Sequence, residues 1–441
     1  MDPSNHAKDD IPRKADHLCV LIHGFWGNPS HMDHLAASLR ERYSDDHLRV
    51  LVLERNAGTL TYDGIEVGGE RAAYEIEETL NSLADEGCRI QKLSIVGYSF
   101  GGLVARYAIG LLYARGWLDK LEPVNFTTFV SPHVGVRIPL KGIWSHIWNN
   151  VGPQQGSTSV RQLFMVDSFG DTGRPMLSVL ADPDSIFMRA LARFQNRCLY
   201  ANVINDRTTI FYTTSLSTVD PFRDLESLQV NYVKGYEPVV IDPDMYFLPS
   251  GEVKPKECLS LGSRIWRFLS AALFSIFIVL FLCIVLPLFF LHSVCEWSHS
   301  RQRVRVHEEG KSGTLFKPYR VMIKEVQSAI EEVYEDVGFR QDPEYLSVTT
   351  KTGREDSITR RNSPKHSSSP IREDRNYPTL ALTPAQITII ESLNSVGFRK
   401  YPVYIHNHRH SHAAIIVRVP NKGFDEGKIV TKHWLDNEFQ V

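Results

Sequence analysis

Gly97-Tyr98-Ser99-Phe100-Gly101 joins the apolar run LSIV to the helical sequence GGLVARYAIGLLY with no residue to spare. A strand that becomes a helix this abruptly leaves no room for side chains beside the serine, and glycine at 97 and 101 answers that demand. The same turn puts Ser99 at a helix N-terminus, where peptide dipoles favour negative charge developing nearby. G-x-S-x-G in a strand–turn–helix setting predicts a nucleophilic serine. Without that setting it would be only a glycine-rich turn with an idle serine.

The surrounding sequence supplies the setting. Apolar or β-branched runs at His17 to Ile22, Leu48 to Leu53, Leu93 to Val96, Val124 to Val130 and Cys198 to Ile204 alternate with helical patterns. Those patterns extend to about Arg42, from Gly69 to Leu83 and from Gly101 to Tyr113. Strands alternating with helices of this length predict an α/β fold, a mostly parallel sheet with helices on both faces. The core is expected over 17–250, with a cap-like or plain surface excursion at 136–183 that holds Trp144 and Trp148. It resumes at 379–441, where His412 to Val419 (HAAIIVRV) reads as the last strand. A polar tail (1–16), an insertion (251–345) and a Ser/Arg/Pro-rich linker expected to be disordered (346–378) make up the rest. Within the insertion, 321–337 has an amphipathic helical pattern.

Acyl transfer at a serine needs donors aimed at the oxyanion, an imidazole base and a carboxylate that orients it. One donor is the backbone N–H of Phe100, the residue after the nucleophile. The second is expected from His23-Gly24-Phe25-Trp26-Gly27, the loop after the first strand, with Phe25 N–H chosen and His23 read as a loop-fastening histidine. Chain order in such a fold runs serine, acid, histidine. Asp206 follows a late strand, with Asp220 in the turn VDPF as runner-up. For the base, His412 opens the last apolar run; His410 and His133 are the alternatives.

Other chemistries find little support. Forty-nine basic against 51 acidic residues imply no nucleic-acid partner. Six scattered cysteines suit a reducing compartment and supply no disulfide framework. His406, His408, His410 and His412 alternate, but no carboxylate or cysteine accompanies them, so neither a metal nor another cofactor is expected. The N-terminal residues lack a secretory apolar core, which predicts a cytosolic catalytic domain.

The stretches HGFWGNPSHM, YDGIEVGGERAAYEI, LSIVGYSFGGLVARYAIG, FVSPHVGVR, RQLFMVD, ANVINDRTTIFYTT and HSHAAIIVR together resemble the fungal branch of the serine esterase family, within the α/β-hydrolase superfamily. That branch includes a yeast lipid-droplet phospholipase. The resemblance implies an α/β-hydrolase with Ser99, Asp206 and His412 as its triad, and broad action on glycerophospholipids. Tyr98 and Phe100 depart from the family's commoner His and Leu. The departure touches no catalytic atom but bears on the shape of the acyl pocket.

Residues 268–291 form 24 residues without a charge, flanked by Arg264 and Arg267 before and by Arg301, Arg303 and Arg305 after. As a helix this run would reach about 36 Å, longer than a bilayer's hydrocarbon core of roughly 30 Å. It falls between Asp206 and His412, however, and a single crossing would part the acid from the base. A hairpin dipping into one leaflet, with Pro287 and the flanking basic residues at its edges, is therefore expected over a full span, an interfacial helix or a buried helix. The arginine flank is expected to add about 1 kcal/mol per charge on anionic lipid. Together these readings predict a lipid esterase, of phospholipase type, at a lipid-droplet or endoplasmic reticulum surface. A transacylase or acyl-protein esterase using the same triad, or a catalytically idle droplet-surface protein, are the alternatives.

Overall fold

The computed structural model describes residues 15–137, 149, 152–154, 156–206, 209–223, 225, 228–248, 298–306 and 380–441. The expectations for 268–291, 321–337 and the linker, and the tryptophans at 144 and 148, lie outside these residues. So does nearly all of the N-terminal tail. Six strands pair in parallel: β1 His17–Ile22, β2 Leu48–Val52, β3 Lys92–Tyr98, β4 Glu122–Phe129, β5 Asn196–Asn202 and β6 Arg399–Val403. Their order in the sheet is β2-β1-β3-β4-β5-β6, which with its helices is the α/β arrangement expected, a parallel sheet with helices on both faces.

Alternation along each strand feeds two cores. Leu18, Val20 and Ile22 join Leu93 and Ile95 on one face of the sheet, while Cys19 and Leu21 join Val96 and Tyr98 on the other. The first face is covered by α2 (Ile65–Asp85), α3 (Phe100–Ala114) and the helix Ile186–Arg193, through residues such as Ile76, Leu103 and Phe187. The second is covered by α1 (Asp33–Arg42) and the C-terminal helix Asp425–Asn437, through Leu35, Leu39 and Trp434. Trp434 also donates its indole N–H to Thr127 Oγ1 at 3.1 Å, which satisfies that polar atom inside the core.

The last strand differs from expectation. His412 to Val419 is not β: Ser411–Ala414 makes one helical turn, with Ala414 N and Ile415 N donating to the carbonyls of His410 and Ser411. Residues 413–416 are buried on every side. A uniformly buried apolar run carries no periodicity, so nothing in it distinguishes helix from strand. The true edge strand, RKYPV, pairs in register with β5, Cys198 opposite Arg399 and Asn202 opposite Val403. Its Pro402 lacks an N–H, which suits an edge, and its carbonyl accepts from Ile241 N at 2.9 Å. Because β5 and β6 are neighbours, the chain before and after 249–379 contributes strands to one sheet.

Buried histidines give this core a pH dependence. His17, His23 and His433 are each pushed down to about 4, chiefly by burial. His17 Nε2 lies 2.7 Å from Ser94 Oγ, and His433 Nδ1 lies 2.8 Å from Tyr200 OH. A histidine lowered in the folded state contributes its stability fully above the unfolded value near 6.5 and loses it as pH falls towards 4. The histidine contribution to the unfolding free energy is therefore expected to be flat above pH 6.5 and to fall between 6.5 and 4, by up to about 3 kcal/mol per histidine, lowering the denaturant midpoint with it. A midpoint that stays level down to pH 4.5 would contradict the neutral assignment.

Candidate active site

The sheet order reverses between β1 and β3, and ligands of open α/β sheets bind at such a switch point, outside the carboxyl ends of the strands. Ser99 leaves β3 there, and the loop 23–27 leaves β1 beside it. Ser99 has φ 53° and ψ −127°, a left-handed conformation that the tight passage into α3 imposes on a non-glycine residue. Its N–H donates to Phe129 O at 2.9 Å, which fastens the turn to β4. A Cβ on Gly101 would run into the carbonyl oxygens of Ile22 and His23, both backbone. Gly101→Ala is accordingly expected to cost several kcal/mol or to abolish soluble expression, as checked by thermal melting of the purified variant. A melting point within about 3 °C of wild type would argue against this packing.

His412 bridges the site. Its Nε2 lies 2.9 Å from Ser99 Oγ, and its Nδ1 lies 2.9 Å from Asp206 Oδ2. All three residues are buried, at 5–7% exposure. Asp206 sits four residues past β5, and Asn202 at the end of that strand donates to its Oδ2 at 3.0 Å. Thr209 closes the other side: its N–H and Oγ1 donate to Asp206 Oδ1 at 2.9 and 3.1 Å, and Oγ1 lies 3.1 Å from His412 Nδ1. Tyr98 OH donates to the His412 carbonyl at 3.0 Å, and Ser411 Oγ donates to Ile204 O at 2.9 Å, so the turn carrying the imidazole is tied to β3 and to the loop after β5. Sequence reasoning missed Asn202, Thr209 and Ser411, and gave Tyr98 to the acyl pocket where its hydroxyl instead holds the His412 backbone. NDRTT did place a threonine three residues beyond the acid, the spacing of a side chain-to-backbone turn.

The remaining candidates fall elsewhere. Asp220 accepts from Phe222 N at 3.0 Å, as a turn former does. His133 is fully buried against Thr128 Oγ1 at 3.0 Å and held well below the usual imidazole range by burial and the Arg106 charge. His410 precedes the helical turn, its backbone N–H donating to His408 Nδ1 at 3.0 Å. His23 is buried with Nδ1 3.1 Å from Gly24 O.

Phe100 and the β1 loop adjoin Ser99. Phe100 opens α3, so its N–H has no intrahelical acceptor. The β1 loop passes so close that a Cβ on Gly24 would sit 2.9 Å from Ser99 Cβ, and Phe25 is the next residue along that loop. The rings of Phe25 and Phe100 pack edge to face at 5.7 Å, with Tyr62 at 5.4 Å from Phe25. A serine, an imidazole and a carboxylate in this relay can form and break an acyl-enzyme.

Residues 12–218 match the family model described as "Putative serine esterase (DUF676)". Among curated proteins, the chain is 31% identical over 223 residues to "Putative lipase ROG1" of Saccharomyces cerevisiae, covering 49% of this chain and 31% of that one. It is 30% identical over 216 residues to "Putative lipase C4A8.10" of Schizosaccharomyces pombe, covering 46% and 26%. The matching part thus spans about a third or less of these relatives' length. Among solved structures, phospholipase PlaB from Legionella pneumophila aligns at 12% identity and a TM-score of 0.26, over 49% of this chain and 43% of that one.

Proposed function

Because residues 12–218 carry the pattern of the serine esterase family, and Ser99, His412 and Asp206 close on one another, we propose that the chain is a serine-dependent lipid ester hydrolase. Its finer form is a phospholipase that releases fatty acids from glycerophospholipids at a lipid-droplet or membrane surface. The observation that carries the reading is the Ser99–His412–Asp206 relay, assembled from residues over 300 positions apart in sequence.

In the proposed cycle, Ser99 Oγ attacks the ester carbonyl while His412 Nε2 takes its proton. Asp206 holds the other ring nitrogen and stabilises the imidazolium, and Phe25 and Phe100 N–H receive the oxyanion. His412 then protonates the leaving alcohol, and water repeats the sequence to release the fatty acid.

The lipid preference is supported by the 24 uncharged residues at 268–291 and by curated relatives whose names read lipase. Pairing of β5 with β6 keeps acid and base on one side of any membrane, consistent with an anchor that enters and leaves on that side. Among the described residues no helix is long and apolar enough to cross a membrane. Profiling the products that purified protein makes from mixed-lipid vesicles tests the reading. Free fatty acid with matching lysolipid is expected. If no lipid is cleaved while a soluble ester is, the esterase stands and the phospholipase assignment falls.

A further inference from the structure

Asp63 lies at the end of the turn Gly58–Asp63, with a side chain wholly out of solvent, and it accepts from three directions. Arg71 Nη2 donates at 2.6 Å, from within α2. Ser300 Oγ donates at 2.6 Å, and Arg303 donates through Nε at 2.9 Å and Nη2 at 2.8 Å. Ser300 and Arg303 belong to the helical residues 298–306, more than 230 positions along the chain. Arg303 is therefore committed to Asp63 and is not the lipid-facing charge expected of it; Arg301 and Arg305 are the exposed ones.

The turn that holds Asp63 also holds the oxyanion loop. Trp26 N donates to Thr61 Oγ1 at 3.1 Å, and Gly58 N donates to Gly27 O at 2.8 Å. Tyr62 packs on both Phe25 and Trp26. On its far side the turn is fastened by the helix Thr158–Leu163: Gly64 N donates to Ser159 Oγ at 2.9 Å and Ile65 N to Gln162 Oε1 at 2.7 Å. Residue 298 follows the apolar run 268–291 after only residues 292–297, a length that reaches at most about 25 Å even fully extended.

We infer that Asp63, Ser300 and Arg303 form a joint that fixes residues 298–306 to the turn beside the oxyanion loop, so that the Ser99 site is oriented towards a lipid surface engaged by the apolar run that precedes them in sequence. The inference rests on the lipid-surface reading above and names Ser300 and Arg303 as positioning residues. A buried, charge-assisted fork on one carboxylate sets direction as well as proximity, because guanidinium and carboxylate meet in a fixed plane. Loosening it leaves the apolar run free to bind lipid but no longer orients the site towards it.

The test uses the full chain as wild type, Arg303→Ala, Arg303→Lys and Ser300→Ala. Each is assayed on a soluble short-chain nitrophenyl ester and on a long-chain ester carried in phosphatidylcholine vesicles, with flotation to measure vesicle binding. Asp63 keeps Arg71 as a partner in every variant, and Ser300→Ala removes a single hydrogen bond should Arg303→Ala fold poorly. For Arg303→Ala the ratio of vesicle rate to soluble-ester rate is expected to fall at least tenfold, with flotation retained and Arg303→Lys recovering part of the ratio. An unchanged ratio overturns the inference. Equal loss on both esters also overturns it, since the turn would then act on the oxyanion loop whatever the lipid. So does loss of flotation, which would make 298–306 the lipid contact itself. A wild type that cleaves neither ester removes the hydrolase reading instead, and one that cleaves the soluble ester without floating removes the lipid-surface reading.

Discussion

Ser99→Ala is expected to lower ester hydrolysis by about 10⁴- to 10⁶-fold and to abolish labelling by a fluorophosphonate probe. The substitution deletes the one atom that lies 2.9 Å from His412 Nε2 and leaves the backbone at φ 53° unchanged in demand, so folding is expected to survive. Residual rate above water would come from the Phe25 and Phe100 donors and from substrate binding. Labelling that persisted in the variant would put the nucleophile elsewhere and end the proposed chemistry at this turn.

Asp206→Asn is expected to cost about 10⁴-fold in kcat on a soluble ester, with little change in KM. Asp206 accepts from Asn202 Nδ2, from Thr209 N and Oγ1, and from His412 Nδ1, so both carboxylate oxygens are fully used. An amide must turn its NH2 towards some of these donors. Facing Nδ1, it forces the wrong imidazole tautomer on His412 and removes the charge that stabilises the imidazolium. His410→Ala, outside the relay, is expected to stay within about threefold of wild type. A loss of less than tenfold for Asp206→Asn would mean that Thr209, whose Oγ1 lies 3.1 Å from the same Nδ1, orients the base well enough alone.

Much of the sheet was legible because its information is local. β1 to β5 announce themselves as short apolar runs between glycines and amphipathic helices, and β1 begins and ends where the run HLCVLI does. The elbow was legible for a sharper reason: only glycine tolerates the carbonyls of Ile22 and His23 at position 101, so a steric demand is written in residue type. The acid and base could be narrowed by chain order alone. His412 was preferred to His410 because it opens the last apolar run; what separates the two in space is the turn Ser411–Ala414, since neighbours two residues apart swap faces when strand becomes helix. The missing strand was hidden in RKYPV, short, basic and interrupted by proline, beside a more apolar run that turned out to be a buried turn.

Residue order by itself determined which segments alternate as strand and helix, where the chain must turn on glycine, and which serine stands at a helix start. These follow from side-chain period, backbone sterics and the peptide dipole, all of which act within a few residues. Tertiary structure alone decided that Thr209 and Asn202 brace the acid, that RKYPV rather than HAAIIVRV completes the sheet, and that Arg303 folds back onto Asp63. Asn202 and Thr209 lie only four and three residues from Asp206 but brace it on account of His412, over 200 positions on. The other two outcomes likewise depend on satisfying polar groups against partners distant in sequence. That cost is set only when the chain has packed, and no local pattern records it.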